Sequence, residues 1–160
     1  MILYLINFDI ILIKEIVMSS ALDRLKNLTN KISSYELTRK NNMSKLHELF
    51  VELGISKKLD TFEELFLFKA VNLSGASLLQ ENLGEIKEGK YLQILAISYD
   101  KTAKVKSKNI SLAYFGRVES VDCEFKESVV EFIIRYRFEK SFMTLEHYNS
   151  MLGDFGKKSE

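Results

Sequence analysis

The sequence predicts an α+β protein, in which N-terminal helices pack on a curved C-terminal antiparallel sheet of about four strands, followed by a short C-terminal helix. Between positions 20 and 53, apolar residues recur at a spacing close to 3.6, which is typical of amphipathic helices. From Lys90 onward the spacing changes to two, the period of a strand with one buried face. The longest alternating run is 128–138, where one side holds Val130, Phe132, Ile134, Tyr136 and Phe138.

Residues 1–17 are apolar but carry Asn7, Asp9, Lys14 and Glu15. A membrane span needs about 20 mainly apolar residues, and a secretory signal begins with basic residues, so neither is favoured. The segment is interpreted either as an extra edge strand or helix that covers the core, or as a translation-start artefact. In the second case translation would start at Met18 and residues 1–17 would be dispensable. We place one domain at residues 18–153, which suits a chain of 160 residues, and a frayed tail at 154–160.

Residues 20–53 form either one long helix or two helices broken near positions 39–42. Apolar residues fill the a and d positions of one heptad frame on both sides of a polar step at Arg39 and Asn42. Two consecutive polar core positions weaken a coiled-coil seam, which favours a break or a kink. The unbroken helix would instead imply a coiled-coil dimer. The two apolar patches are Leu25, Leu28, Ile32, Tyr35 and Leu46, Leu49, Leu53.

Two capping signals predict further helices before the sheet. Thr61 with Glu64 would begin a helix that is apolar on nearly all sides from Phe62 to Leu73, and such a helix is buried or meets a partner. Ser77 with Gln80 would begin another, with Leu79, Leu83 and Ile86 facing inward.

Four strands are predicted at residues 91–99, 109–115, 118–125 and 129–138, with a short helix at 144–152. On the first strand, Leu92, Ile94 and Ala96 share one face. This order of elements resembles the cone-shaped NTF2-like architecture in outline. The resemblance implies a sheet that dimerises or holds a pocket, and it implies no particular function.

Composition excludes several broad classes. Hydrophobic residues make up 46% and charged residues 28% of the chain, as in ordinary globular proteins. The net charge of +1 gives no overall attraction to nucleic acid or anionic membranes. Cys123 stands alone, which rules out an intrachain disulfide and suits the cytoplasm. The absence of Pro and Trp suggests an AT-rich coding genome.

No catalytic or metal-binding motif is found, and we predict no cofactor. His47 and His147 lack the spacing of metal ligands, and Cys123 is expected to point from a strand into the core as an inert thiol. No glycine-rich phosphate loop and no nucleophile elbow occur, so an enzyme is not favoured, although it is not excluded.

The first functional hypothesis is therefore a non-enzymatic protein–protein interaction or structural module, oligomeric or part of a larger assembly. Self-association or a protein partner is expected, and membrane contact only if residues 1–17 form an anchor. The predicted interface residues are Leu25, Leu28, Ile32, Leu46, Leu49 and Leu53.

Two alternatives remain open. A lysine-rich hairpin could bind nucleic acid weakly, since four lysines follow one another without an intervening acid, although lysines also protect sheet edges from pairing. A concave sheet face could hold a small-ligand or enzyme pocket, as the NTF2-like resemblance implies. The candidate nucleic-acid residues are Lys101, Lys104, Lys106 and Lys108.

Overall fold

The computed structural model describes the backbone at residues 2–99, 102 and 107–157, and the side chains at residues 20–99, 102 and 107–156. The protein is α+β, and along the chain one long helix precedes and another follows the strands of an antiparallel sheet. The described part of the sheet has three strands rather than four, and the NTF2-like outline is not confirmed. The elements are α1 (Ile2–Glu52), β1 (Ala70–Ser74), β2 (Tyr91–Tyr99), β3 (Ser107–Arg117) and α2 (Cys123–Lys157).

Helix α1 is continuous, so the predicted break near residues 39–42 is wrong. The polar position at Asn42 is occupied by a partnered side chain. Asn42 Nδ2 donates to the Arg135 carbonyl at 3.0 Å, and Arg135 Nη1 donates to Asn42 Oδ1 at 3.3 Å. Because these bonds satisfy the buried amide, the polar step is accommodated by packing on α2 and does not interrupt the helix.

The chain divides into two compact units, residues 1–41 and residues 42–160. The first unit is entirely helical over its described backbone, and its side chains from Ser20 to Thr38 are exposed. The second unit holds the end of α1, the sheet and α2. No helix in the described part of the chain is both long enough and apolar enough to cross a bilayer.

The hydrophobic core lies in the second unit, against one face of the sheet. The sheet order is β1-β2-β3, and Val71 of β1 lies opposite Ala96 of β2. Alternate β2 residues are buried, which confirms the predicted face of Leu92, Ile94 and Ala96. The two helices cover this face with Leu46, Leu49, Phe50 and Leu53 from α1 and with Val129, Phe132, Ile133 and Tyr136 from α2.

The predicted strands at 118–125 and 129–138 are wrong, because most of this region belongs to α2. Asp122 caps the helix, since its Oδ2 accepts from the backbone N–H of Glu124 at 3.0 Å and of Phe125 at 3.4 Å. Val129 and Ile133, which the alternation assigned to the polar side, are buried, whereas Ile134 is exposed. The predicted helix at 144–152 is the continuation of α2.

The predicted helices between residues 62 and 89 are also wrong. A 3-10 turn at Glu63–Leu67 leads into β1, and a further turn at Gln80–Asn82 lies in the β1–β2 connection. Leu79, Leu83 and Ile86 are exposed, so they do not face inward. Glycines at positive φ in this segment interrupt any continuous helix.

Candidate interaction surfaces

The residues considered for catalysis do not converge in the described structure. His47 is exposed, with its ring 5.0 Å from Phe62 and 6.3 Å from Phe50, and His147 lies beside Tyr148. Cys123 is exposed at the first residue of α2, so its predicted burial is wrong. Among the described residues, no group of three or more histidines, cysteines or carboxylates is placed to hold a metal ion.

The six predicted interface residues separate into two groups along α1. Leu46, Leu49 and Leu53 are buried in the core of the second unit. Leu25, Leu28 and Ile32 are exposed in the first unit. Charge substitutions at Leu46 or Leu49 would therefore disrupt folding, and only the exposed group is able to meet a partner on the folded protein.

The exposed apolar surface of the first unit, which we call the α1 stripe, consists of Leu25, Leu28, Ile32 and Tyr35. These residues occupy heptad positions a, d, a and d on one side of an unbroken helix. Each side chain is more than half exposed, the lowest being Leu28 at 58%. An apolar stripe of this kind has the width of a coiled-coil seam.

Polar residues flank the α1 stripe without interrupting it. The hydroxyl of Thr29 donates to the Leu25 carbonyl at 2.9 Å, and that of Thr38 donates to the Ser34 carbonyl at 2.8 Å. The hydroxyls are thus satisfied within the helix and would carry little desolvation cost if the stripe were covered. The opposite charges of Lys31 and Glu36 occupy g and e positions, the sites of interhelical ion pairs.

A second exposed apolar row lies on the C-terminal part of α2. Its members also follow a 3-4-3 spacing. This spacing can be read from the sequence, but the helix predicted there, 144–152, ends before the last member of the row. We call it the α2 stripe, and it consists of Leu145, Tyr148, Leu152 and Phe155, all exposed.

A groove of about 670 Å³ lies between β1 and α2. Its lining includes Val71 and Tyr136 and three cationic residues, Lys69, Arg137 and Lys140. Arg137 Nη2 donates to Asn72 Oδ1 at 3.2 Å. This groove does not follow from the sequence, because the alternation at 128–138 predicts a strand, which would place Tyr136 and Arg137 on opposite faces of the sheet.

Lys140, one of the lining residues, is held in position by a hydrogen bond in which its Nζ donates to the Phe66 carbonyl at 2.5 Å. Burial lowers the pKa of this ammonium group from its ordinary value. This hydrogen bond holds the Lys140 charge in the lining of the groove, while the bond to Asn72 holds Arg137 beside the middle residue of β1.

The lysine-rich hairpin is only partly described. Lys108 is exposed on β3, while Lys101, Lys104 and Lys106 lie outside the described residues. Nucleic-acid binding through these lysines stays a prediction, which glutamate substitutions at Lys104, Lys106 and Lys108 would test through loss of salt-dependent binding.

Comparisons with protein-family models, with curated proteins and with solved structures gave no significant match for this chain.

Proposed function

We propose that this protein is a self-associating interaction module that dimerises through the α1 stripe as a parallel two-stranded coiled coil. The observation that carries the proposal is an exposed a/d row on a helix that is continuous from Ile2 to Glu52. Burying a leucine or isoleucine side chain stabilises an association by roughly 1.5–3 kcal/mol before entropic costs. Four apolar layers therefore supply a driving force that isolated surface leucines lack.

The charges beside the stripe favour the parallel orientation. In a parallel pair, a g residue faces the e residue of the next heptad on the partner helix. Lys31 would then face Glu36 of the second copy, and symmetry would form the pair twice. Each such surface ion pair contributes only about 0.5 kcal/mol, so it selects the orientation more than it strengthens the dimer.

The polar step in the heptad frame sets the end of the seam. Arg39 occupies the next a position, where two copies would bring like charges together. Asn42 at the following d position is bonded to Arg135 inside the second unit. The proposed seam therefore ends after Tyr35, and the short length makes the dimer dissociate on dilution.

Light scattering during size exclusion tests this proposal. The wild-type chain should have twice the 18.5 kDa monomer mass at micromolar concentration. Leu28→Glu combined with Ile32→Glu should shift it to the monomer with unchanged thermal unfolding of the core. Leu37→Glu is the matched control, because Leu37 is 60% exposed on the same helix but lies at an f position.

Disulfide trapping tests the orientation. In a Cys123→Ser background, Leu28→Cys should form an interchain disulfide under mild oxidation, because equivalent d positions face each other in a parallel dimer. Leu37→Cys should remain reduced. A monomeric wild type would refute the proposal, and a dimer that survives the stripe substitutions but dissociates with Leu152→Glu would assign self-association to the α2 stripe.

A further inference from the structure

We propose that the groove between β1 and α2 binds an extended acidic segment of a partner protein, which pairs with β1 as an additional strand. The inference is independent of dimerisation, since all of the groove lies in the second unit.

Strand β1 has an open edge. Among the described strands it pairs only with β2, so it forms an edge of the described sheet, and an edge strand presents backbone N–H and C=O groups at alternate residues. An extended peptide can satisfy these groups by strand addition, a recognition mode in which backbone bonds supply affinity and adjacent pockets supply specificity. The groove places α2 beside that edge, so an added strand would contact both β1 and the helix.

The charge of the groove selects the partner. Lys69, Arg137 and Lys140 line it, and its lining contains no carboxylate among the described residues. Glu139, the neighbouring acid on α2, is buried and does not belong to the lining. The Arg137 guanidinium is held by Asn72 of β1 itself, so a carboxylate on an added strand would meet a preoriented donor.

The same charges argue against a second copy of β1 as the occupant. The β1 residues, Ala-Val-Asn-Leu-Ser, contain no acid, and edge-to-edge pairing of two copies would bring the two sets of cations together. Like charges at an interface oppose association. Ala70 and Leu145 add apolar side chains to the lining, which suits an apolar side chain between acidic ones. The fitting ligand is thus an extended segment that alternates acidic and β-branched residues.

The probe is a fluorescein-labelled heptapeptide of alternating valine and glutamate, titrated with the full-length protein at low salt and followed by anisotropy. We expect saturable binding that weakens with added salt. Lys69→Glu combined with Arg137→Glu should weaken it by about tenfold or more, because both substitutions oppose the peptide charge. Lys108→Glu is the matched control, since Lys108 is an exposed lysine on β3 at the other edge of the sheet.

Backbone pairing is tested separately from charge. Peptide binding should slow hydrogen exchange of the β1 amides. Only every second amide of an added strand bonds to β1, so N-methylation of one alternate set of peptide amides should abolish binding and N-methylation of the other set should not. Four results would overturn the proposal: no saturation, equal binding of a valine–lysine heptapeptide, equal binding by the groove variant, or binding without protection of β1. Tighter binding of a short oligonucleotide, with the same sensitivity to the groove substitutions, would also overturn it by identifying a phosphate site.

Discussion

At the scale of single residues, some buried polar groups in the second unit have hydrogen-bond partners and the Tyr136 hydroxyl does not. Ser77 Oγ donates to Asn82 Oδ1 at 2.7 Å and accepts from the Leu79 N–H at 3.3 Å. Asn42 is bonded to Arg135 in both directions. The Tyr136 hydroxyl, in contrast, is buried and has no hydrogen-bond partner among the described residues, although its ring stacks on Phe66.

Tyr136→Phe should therefore raise the free energy of unfolding at neutral pH by about 1 kcal/mol, because it removes a buried donor that gains nothing in the folded state. The Phe66 ring contact is retained. Urea denaturation of the two proteins measures the difference. A loss of stability instead would show that the hydroxyl has a partner in solution.

The same residue predicts a pH dependence. Burial raises the pKa of the Tyr136 hydroxyl to about 12, whereas an unfolded tyrosine ionises near 10. The unfolded chain loses this proton first as pH rises. The free energy of unfolding is therefore unaffected by this ionisation below about pH 10, and it falls as pH rises from about 10 toward about 12. Wild type should lose more stability across this window than Tyr136→Phe. Lys140 titrates in both proteins, so the difference between the two curves reports Tyr136, and parallel curves would contradict the assignment.

At the scale of elements, the end of β1 depends on a close approach of two backbones. Gly75 has φ of 92°, and a Cβ added there would lie 2.7 Å from the Tyr91 carbonyl oxygen and 2.9 Å from Leu92 Cα. The Lys87 N–H also donates to the Gly75 carbonyl at 2.9 Å. The β1–β2 connection therefore requires glycine for both its conformation and its lack of a side chain.

Gly75→Ala should lower the free energy of unfolding by more than about 2 kcal/mol, because the methyl group would collide with the backbone of β2 as well as strain φ. Gly84→Ala is the matched control. Gly84 has a similar φ of 79°, but nothing lies within 4 Å of its added Cβ, so only the conformational cost of about 1 kcal/mol applies. Equal losses in the two variants, measured by thermal unfolding, would contradict the close approach.

At the scale of the whole molecule, the hydrophobic core and the surface proposed for dimerisation lie in different units. The core residues named on α1 begin at Leu46, whereas the α1 stripe lies before Asn42, the first residue of the second unit. A chain that begins at Thr38 should thus keep the fold of the second unit, with a thermal midpoint within a few degrees of wild type. It should be monomeric by light scattering. An unfolded product would show that the first unit contributes to folding, and a dimeric product would contradict association through the α1 stripe.

The predictability of the fold varied between elements for a physical reason. Strand β2 was predicted with its correct bounds and buried face, because its alternation is not compatible with a helix of nine residues. In the run 128–138, apolar residues occur at both periods at once. The buried set Val129, Phe132, Ile133 and Tyr136 has helical spacing, and the Glu131–Arg135 pair at 2.6 Å joins successive turns. Only the cap at Asp122 and the location of the sheet decide whether this run forms a strand or a helix.

The sequence by itself determined the heptad frame of α1 and the face of β2, since each depends on local periodicity. The α+β class was also predicted correctly, although the longest alternating run behind that prediction, 128–138, is helical. The tertiary structure decided which part of the heptad frame is core and which part is exposed, because burial depends on where the sheet and α2 lie. It also decided that the edge of β1 meets three cations, since Lys69 and Arg137 are far apart in the chain and are brought together only by packing of α2 beside the sheet.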